Sequence, residues 1–145
     1  PHSDWRRSRA AAENVIPTTT GAARAVGKVL PELNGKLDGI AMRVPVPDGS
    51  VVDLNVRLKQ DVTIDMINEA VLEASNEESM SNVLEYSNLP VVSTDIIGNK
   101  HSSIFDAPFT RVIDNNFVKT LNWYDNEWGY SNRVVDLMAI LGKLL

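Results

Sequence analysis

Trp123-Tyr124-Asp125-Asn126-Glu127-Trp128-Gly129-Tyr130 decides how the end of this chain is built. Four aromatics, two acids, an amide and a glycine are too polar for a core strand and too aromatic for an ordinary turn. The stretch reads as a bend between two regular elements. On its N-terminal side, Thr110–Ile113 and Phe117–Trp123 flank Asp114-Asn115-Asn116, a hairpin signal. On its C-terminal side, Tyr130–Leu145 carries Val134, Leu137, Met138, Leu141, Leu144 and Leu145 at helical spacing. Such a stripe requires a surface to lie against.

Working outward, Ser102–Phe105 reads as extended, Pro90–Ile97 as a strand and Asn82–Tyr86 as a helical turn. Thr63–Asn76 predicts an amphipathic helix, with Ile64, Ile67, Val71 and Leu72 apolar and Thr63 as N-cap. Val52, Leu54, Val56 and Leu58 alternate with polar residues, the pattern of a strand with one wet face. Ile40–Val46 is a second strand, and Pro47-Asp48-Gly49-Ser50 predicts that the two pair as a hairpin. Thr18-Thr19-Thr20-Gly21 predicts a hydroxyl-capped helix start over Ala22–Leu30, ended by Pro31 and Gly35. Residues 1–17 read as an ordered loop with a helical turn, broken at Pro17. The fold class is α+β: a mostly antiparallel or mixed sheet with helices on one face.

The bulk properties narrow the function. The 145 residues suffice for a core, and 43% hydrophobic with 23% charged residues is ordinary globular composition. A net charge of −5 without a basic block argues against nucleic acid as the main partner. No apolar run approaches the roughly 20 residues of a membrane span. The absence of cysteine removes disulfides, thiolate zinc sites and a thiol nucleophile from these residues. With no secretory or lipidation motif in view, these features fit a cytoplasmic protein. Pro1 stands first rather than Met, which fits a piece of a longer polypeptide.

Three features suggest anion binding. Thr18-Thr19-Thr20-Gly21 sits at a helix N-terminus, where free N–H groups and the helix dipole favour negative charge. Arg7 lies in a loop able to fold over it. Arg43 sits in the apolar run Ile40-Ala41-Met42-Arg43-Val44, and burying it requires an anion. Each has a plainer reading: a cap, a solvated cluster with Arg6 and Arg9, and an edge-facing or salt-bridged arginine. His2 and His101 lack partners at metal or acid–base spacing. The acids between Asp61 and Glu78 read as a wet helix face. Asp125 and Glu127 read either as an acid–base pair or as carboxylates bonded to the backbone of the bend.

The run Arg6-Arg7-Ser8-Arg9-Ala10-Ala11-Ala12-Glu13-Asn14-Val15-Ile16-Pro17-Thr18-Thr19-Thr20-Gly21-Ala22-Ala23 and the stretches Leu30–Leu37, Ala41–Pro45, Val51–Leu54 and Trp123–Tyr130 occur in one order. Together they resemble the C-terminal part of glyceraldehyde-3-phosphate dehydrogenases, over essentially the whole chain. The resemblance implies aldehyde oxidation with NAD or NADP, glyceraldehyde 3-phosphate and inorganic phosphate as substrates, and a homotetramer. It implies a cysteine nucleophile, which forms a thioester that phosphate attacks, and a histidine base. Both lie upstream of Pro1 in the family, as does the glycine-rich dinucleotide turn, so the 145 residues alone are expected to be inactive. The resemblance assigns Arg7, Thr20, Gly21 and Arg43 to the two phosphate sites, and Asn126, supported by Tyr130, to the nicotinamide carboxamide. It makes 1–126 a partial catalytic domain, with the end of the S-loop at 1–15, and 127–145 a helix that packs on the nucleotide-binding domain. Trp5 stands where the family usually has Leu, and Val46 and Asp48-Gly49 replace a usual Thr and Asn-Val. A sibling family acting on erythrose 4-phosphate shares the aromatic segment but usually lacks the Thr-Gly motif, so Thr18–Gly21 favours the triose enzyme. A non-catalytic anion-binding or interaction fragment is the other alternative.

Overall fold

The computed structural model describes residues 2–144. They divide into two units, Pro1–Pro47 and Asp48–Leu145, and each is described by itself.

The first unit opens with successive turns. Ser8 N–H donates to the Asp4 carbonyl, Arg9 N–H to Arg6 and Glu13 N–H to Ala10, in keeping with the predicted loop. Strand β1 (Ile16–Thr19) follows, then helix α1 (Ala22–Val29), a 3-10 turn at Pro31–Leu33 and strand β2 (Ile40–Arg43). Strands β1 and β2 pair antiparallel, from Ile16↔Arg43 to Thr19↔Ile40. Pro17 therefore lies within a strand where a break is predicted. A two-stranded ladder tolerates this, because proline's missing N–H can face its unpaired side. The buried Gly27 lets the 3-10 turn close on α1: a Cβ there would sit 2.8 Å from Asn34 Cα.

The second unit is built on a five-stranded sheet. Strands β3 (Ser50–Arg57) and β7 (Phe117–Tyr124) pair antiparallel over eight residues, from Ser50↔Tyr124 to Arg57↔Phe117. The order is β3-β7-β5-β4, with β6 (Arg111–Ile113) also on β7. Strands β4 (Leu84–Ser87) and β5 (Ser103–Asp106) run parallel, so the sheet is mixed. The predicted pairing of 40–46 with 52–58 is wrong: β2 pairs with β1, and β3 with β7. Pro45 and Pro47 lack the N–H a ladder needs, and β7 offers β3 a longer one.

The predicted hairpin over 110–123 holds. Asp114 (φ 49°) and Asn115 (φ 61°) take the left-handed conformation that short polar side chains tolerate. Two other expectations fail. Residues 84–87 form β4 rather than a helical turn; the turn lies just before, with Val83 N–H donating to the Met80 carbonyl. Pro90–Ile97 contains a 3-10 turn, Ser93–Ile96, rather than a strand. There the Asp95 carboxylate accepts from Val92 N–H at 2.8 Å, a local bond that competes with a ladder.

Helix α2 (Ile64–Asn76) covers one sheet face. Its Ile67 and Val71 line a cleft of about 270 Å³ with Leu54, Val56 and Val118. Ile96, Ile104, Phe105, Ala107 and Val118 form the buried centre, and the Phe105 ring stacks on Tyr86 with centroids 5.8 Å apart. The other face carries the Asp53–Lys119 ion pair. Thr63 caps α2 as predicted, its Oγ1 accepting from Met66 N–H at 3.2 Å. Thr63→Ala is expected to cost about 1 kcal/mol in urea denaturation; no loss would mean the cap bond is solvated. Helix α3 (Trp128–Gly142) starts two residues before the predicted Tyr130. Among the described residues no helix is long and apolar enough to cross a membrane.

Candidate functional site

In the first unit, Arg7, Thr20 and Gly21 meet at the start of α1. Arg7 Nη2 donates to the Thr19 carbonyl at 3.4 Å, and its Nε lies 3.6 Å from Asp4 Oδ2. The Arg6 N–H bonded to the Asp4 carboxylate holds that group below its ordinary pKa; Arg7, through its N–H and its charge, pulls the same way. Asp4 is thereby anionic and steers Arg7. Gly21 is the N-cap of α1, with no side chain to close the helix end. This corrects the predicted hydroxyl cap: Thr20, one residue earlier, accepts Ala22 N–H on Oγ1 at 3.2 Å. Its hydroxyl proton remains available to donate. A Cβ on Gly21 would meet nothing within 4 Å, so a ligand can reach the backbone there.

Arg43 does not join this group. It pairs with Ile16, three residues along β1 from Thr19, about 10 Å at strand rise. It is exposed, so the argument that burial demands an anion does not apply to it.

In the second unit, Asn126 and Tyr130 do come together. With Ser102, Tyr124, Asp125, Gly129 and Arg133 they line an open concavity of about 340 Å³. Asn126 Oδ1 accepts from Ser50 Oγ at 2.9 Å. That bond sets which end of the amide remains for a ligand: Nδ2, a donor.

Asp125 organises this cleft. It is 3% exposed. Its Oδ1 accepts from Glu127 N–H at 2.9 Å and Trp128 N–H at 2.7 Å, and its Oδ2 from Gly98 N–H at 2.8 Å. Burial alone would raise its pKa, but the N–H donors of Gly98, Trp128 and Glu127 together outweigh burial and hold it below the ordinary value. Of the two open readings of Asp125, the structure selects bonding to the backbone of the bend. The same bonds satisfy N–H groups at the start of α3 and explain its early start.

Sequence reasoning missed Ser50, 76 residues from Asn126, for which no local signal exists. It also missed the partners of His101: Nδ1 lies 2.9 Å from Glu85 Oε2 and 2.8 Å from Asn99 Oδ1. Among the described residues no group of His, Cys, Asp and Glu could hold a metal ion.

The profile of the family described as "Glyceraldehyde 3-phosphate dehydrogenase, C-terminal domain" matches residues 1–126. Over 145 residues the chain is 55% identical to the glyceraldehyde-3-phosphate dehydrogenase of Mycobacterium avium, covering all of this chain and 42% of that protein. It is 59% identical over 144 residues to the protein of the same name from Borreliella burgdorferi, covering 99% of this chain and 43% of that one. The chain thus spans less than half the length of these curated relatives.

Proposed function

Because the chain belongs to the family of glyceraldehyde 3-phosphate dehydrogenase C-terminal domains, we propose that it is the C-terminal part of a phosphorylating glyceraldehyde-3-phosphate dehydrogenase. The reaction is oxidation of glyceraldehyde 3-phosphate with NAD or NADP and inorganic phosphate to 1,3-bisphosphoglycerate, in a cytoplasmic homotetramer. The observation that carries the reading is Arg7 held against Thr19 beside the open start of α1. A guanidinium and a threonine hydroxyl beside a helix start without a side-chain cap are groups suited to a phosphate. Arg43 supplies a second cation farther along the ladder, suited to the second phosphate.

A bound nicotinamide dinucleotide supplies the hydride acceptor. Asn126 and Tyr130 fit its carboxamide end. The Ser50 bond presents Asn126 Nδ2 to a carbonyl oxygen, and the exposed Tyr130 ring lies along the same cleft. Residues 1–126 act as the substrate-binding part of the catalytic domain. Residues 127–145 act as a helix that packs on a nucleotide-binding domain. Supporting this, Val135, Leu137, Met138, Ile140 and Leu141 of α3 are each more than half exposed. That is an apolar face in need of cover.

The 145-residue polypeptide made by itself is expected to turn over nothing, since it has no thiol to form the acyl intermediate. In the complete natural polypeptide, Arg7→Ala is expected to raise the KM for inorganic phosphate or for glyceraldehyde 3-phosphate by about tenfold or more, the loss of one charge-assisted contact. Reduced cofactor is followed by its absorbance. Turnover by the 145 residues alone, or unchanged KM values in Arg7→Ala, would refute the reading.

A further inference from the structure

Behind the Asn126–Tyr130 cleft lies a polar cluster that the assignments above leave unused. The His101 side chain is 17% exposed. Its Nδ1 faces only acceptors, Glu85 Oε2 at 2.9 Å and Asn99 Oδ1 at 2.8 Å, so this nitrogen carries a proton. Asn99 completes the ring of bonds. Its Nδ2 donates to Glu85 Oε2 at 2.8 Å, and its Oδ1 accepts from His101 N–H at 2.9 Å. His101 Nε2 lies 3.3 Å from the Ser81 carbonyl oxygen. The segment 98–102 is thereby fastened to β4 and to the turn before it.

The same segment forms the base on which the cleft stands. At its start, Gly98 N–H bonds to Asp125, the neighbour of Asn126. Further along, the His101 carbonyl packs on the first turn of α3: a Cβ on Gly129 would lie 3.1 Å from that oxygen. At its end, Ser102 lines the cleft itself. Arg133, another lining residue, donates to the carbonyl of Asn82, whose side chain accepts from Lys100 Nζ.

We propose that Glu85, Asn99 and His101 are positioning residues that hold the bend carrying Asn126 and Tyr130 in place against Ser102, and thereby set the affinity for the carboxamide end of a nicotinamide dinucleotide. None of the three lines the cleft. They act by holding segment 98–102 between Asp125 and Gly129. The inference rests on the cofactor reading of the cleft given above.

The test uses the complete natural polypeptide, NAD as probe, tryptophan fluorescence for binding and KM for inorganic phosphate as the second readout. His101→Ala is expected to weaken NAD binding by about five- to tenfold, while the phosphate KM stays within about twofold. His101→Asn, whose amide nitrogen falls near the position of Nδ1, is expected to recover most of the loss. If His101→Ala does not fold, Glu85→Gln and Asn99→Ala carry the same measurement, with losses of about two- to threefold. Unchanged NAD affinity in these variants, while Asn126→Ala weakens binding, overturns the positioning role. So does a matched loss for NAD and phosphate, which would mark a general loss of structure. Undiminished binding in Asn126→Ala overturns the cofactor reading instead, and the inference with it.

Discussion

Asp125→Ala is expected to cost about 3–4 kcal/mol, near the top of the range for single substitutions. One buried carboxylate accepts from the N–H groups of Gly98, Glu127 and Trp128, and truncation leaves all three donors without it. Bonds to a charged acceptor are individually worth about 1.5–3 kcal/mol, though not additively. Asp125→Asn keeps the shape but turns a donor toward donors, and is expected to lose about 2 kcal/mol. Urea denaturation followed by tryptophan fluorescence measures both. The difference between wild type and Asp125→Ala also has a defined pH dependence. The folded-state pKa of Asp125 is depressed, so its contribution is complete above the unfolded value of about 3.9 and disappears as pH falls through the lower folded value. The difference should be flat from about pH 5 to 8 and shrink below about pH 4. A difference that grew on acidification would contradict the assignment of Asp125 as an anionic acceptor.

The second large effect belongs to Gly49. Its φ is +88°, and a Cβ there would lie 2.7 Å from the Ser93 carbonyl oxygen and 3.3 Å from Ile96 Cδ1. An alanine suffers twice. The left-handed backbone costs about 1–2 kcal/mol, and the clash is with backbone that cannot swing aside. Gly49→Ala is expected to lose about 3 kcal/mol or more. Gly98 provides the comparison: its φ is +82°, but a Cβ there meets nothing within 4 Å. Gly98→Ala should therefore show only the backbone part, about 1–2 kcal/mol. Equal losses at the two positions would mean that the chain around Ser93 yields and that no clash operates.

Local signals in the chain proved reliable where the responsible bond is itself local. Thr63 lies three residues before the N–H it caps. Asp114 and Asn115 take the left-handed turn that their side chains tolerate. They failed where a strand had to choose a partner. Pro47-Asp48-Gly49-Ser50 read as a hairpin loop, yet β3 pairs with a strand near the other end of the sequence. Period-two patterning says which face of a strand is wet; it does not say which neighbour the strand takes.

The candidate site divides the same way. Residue types alone marked Arg7, Thr20, Gly21 and Arg43, because charge, hydroxyl and missing side chain are written in the letters; Asn126 and Tyr130 came from the family resemblance. Composition likewise determined that these residues hold no thiol, and the motifs in their order carried the family. Tertiary structure alone decided that Arg7 reaches Thr19 while Arg43 stands at the far end of its ladder. It also decided that Ser50 orients Asn126, and that Glu85 and Asn99 hold His101. A hydrogen bond is selective over tenths of an ångström, and residues far apart in sequence come that close only after the sheet has set its register.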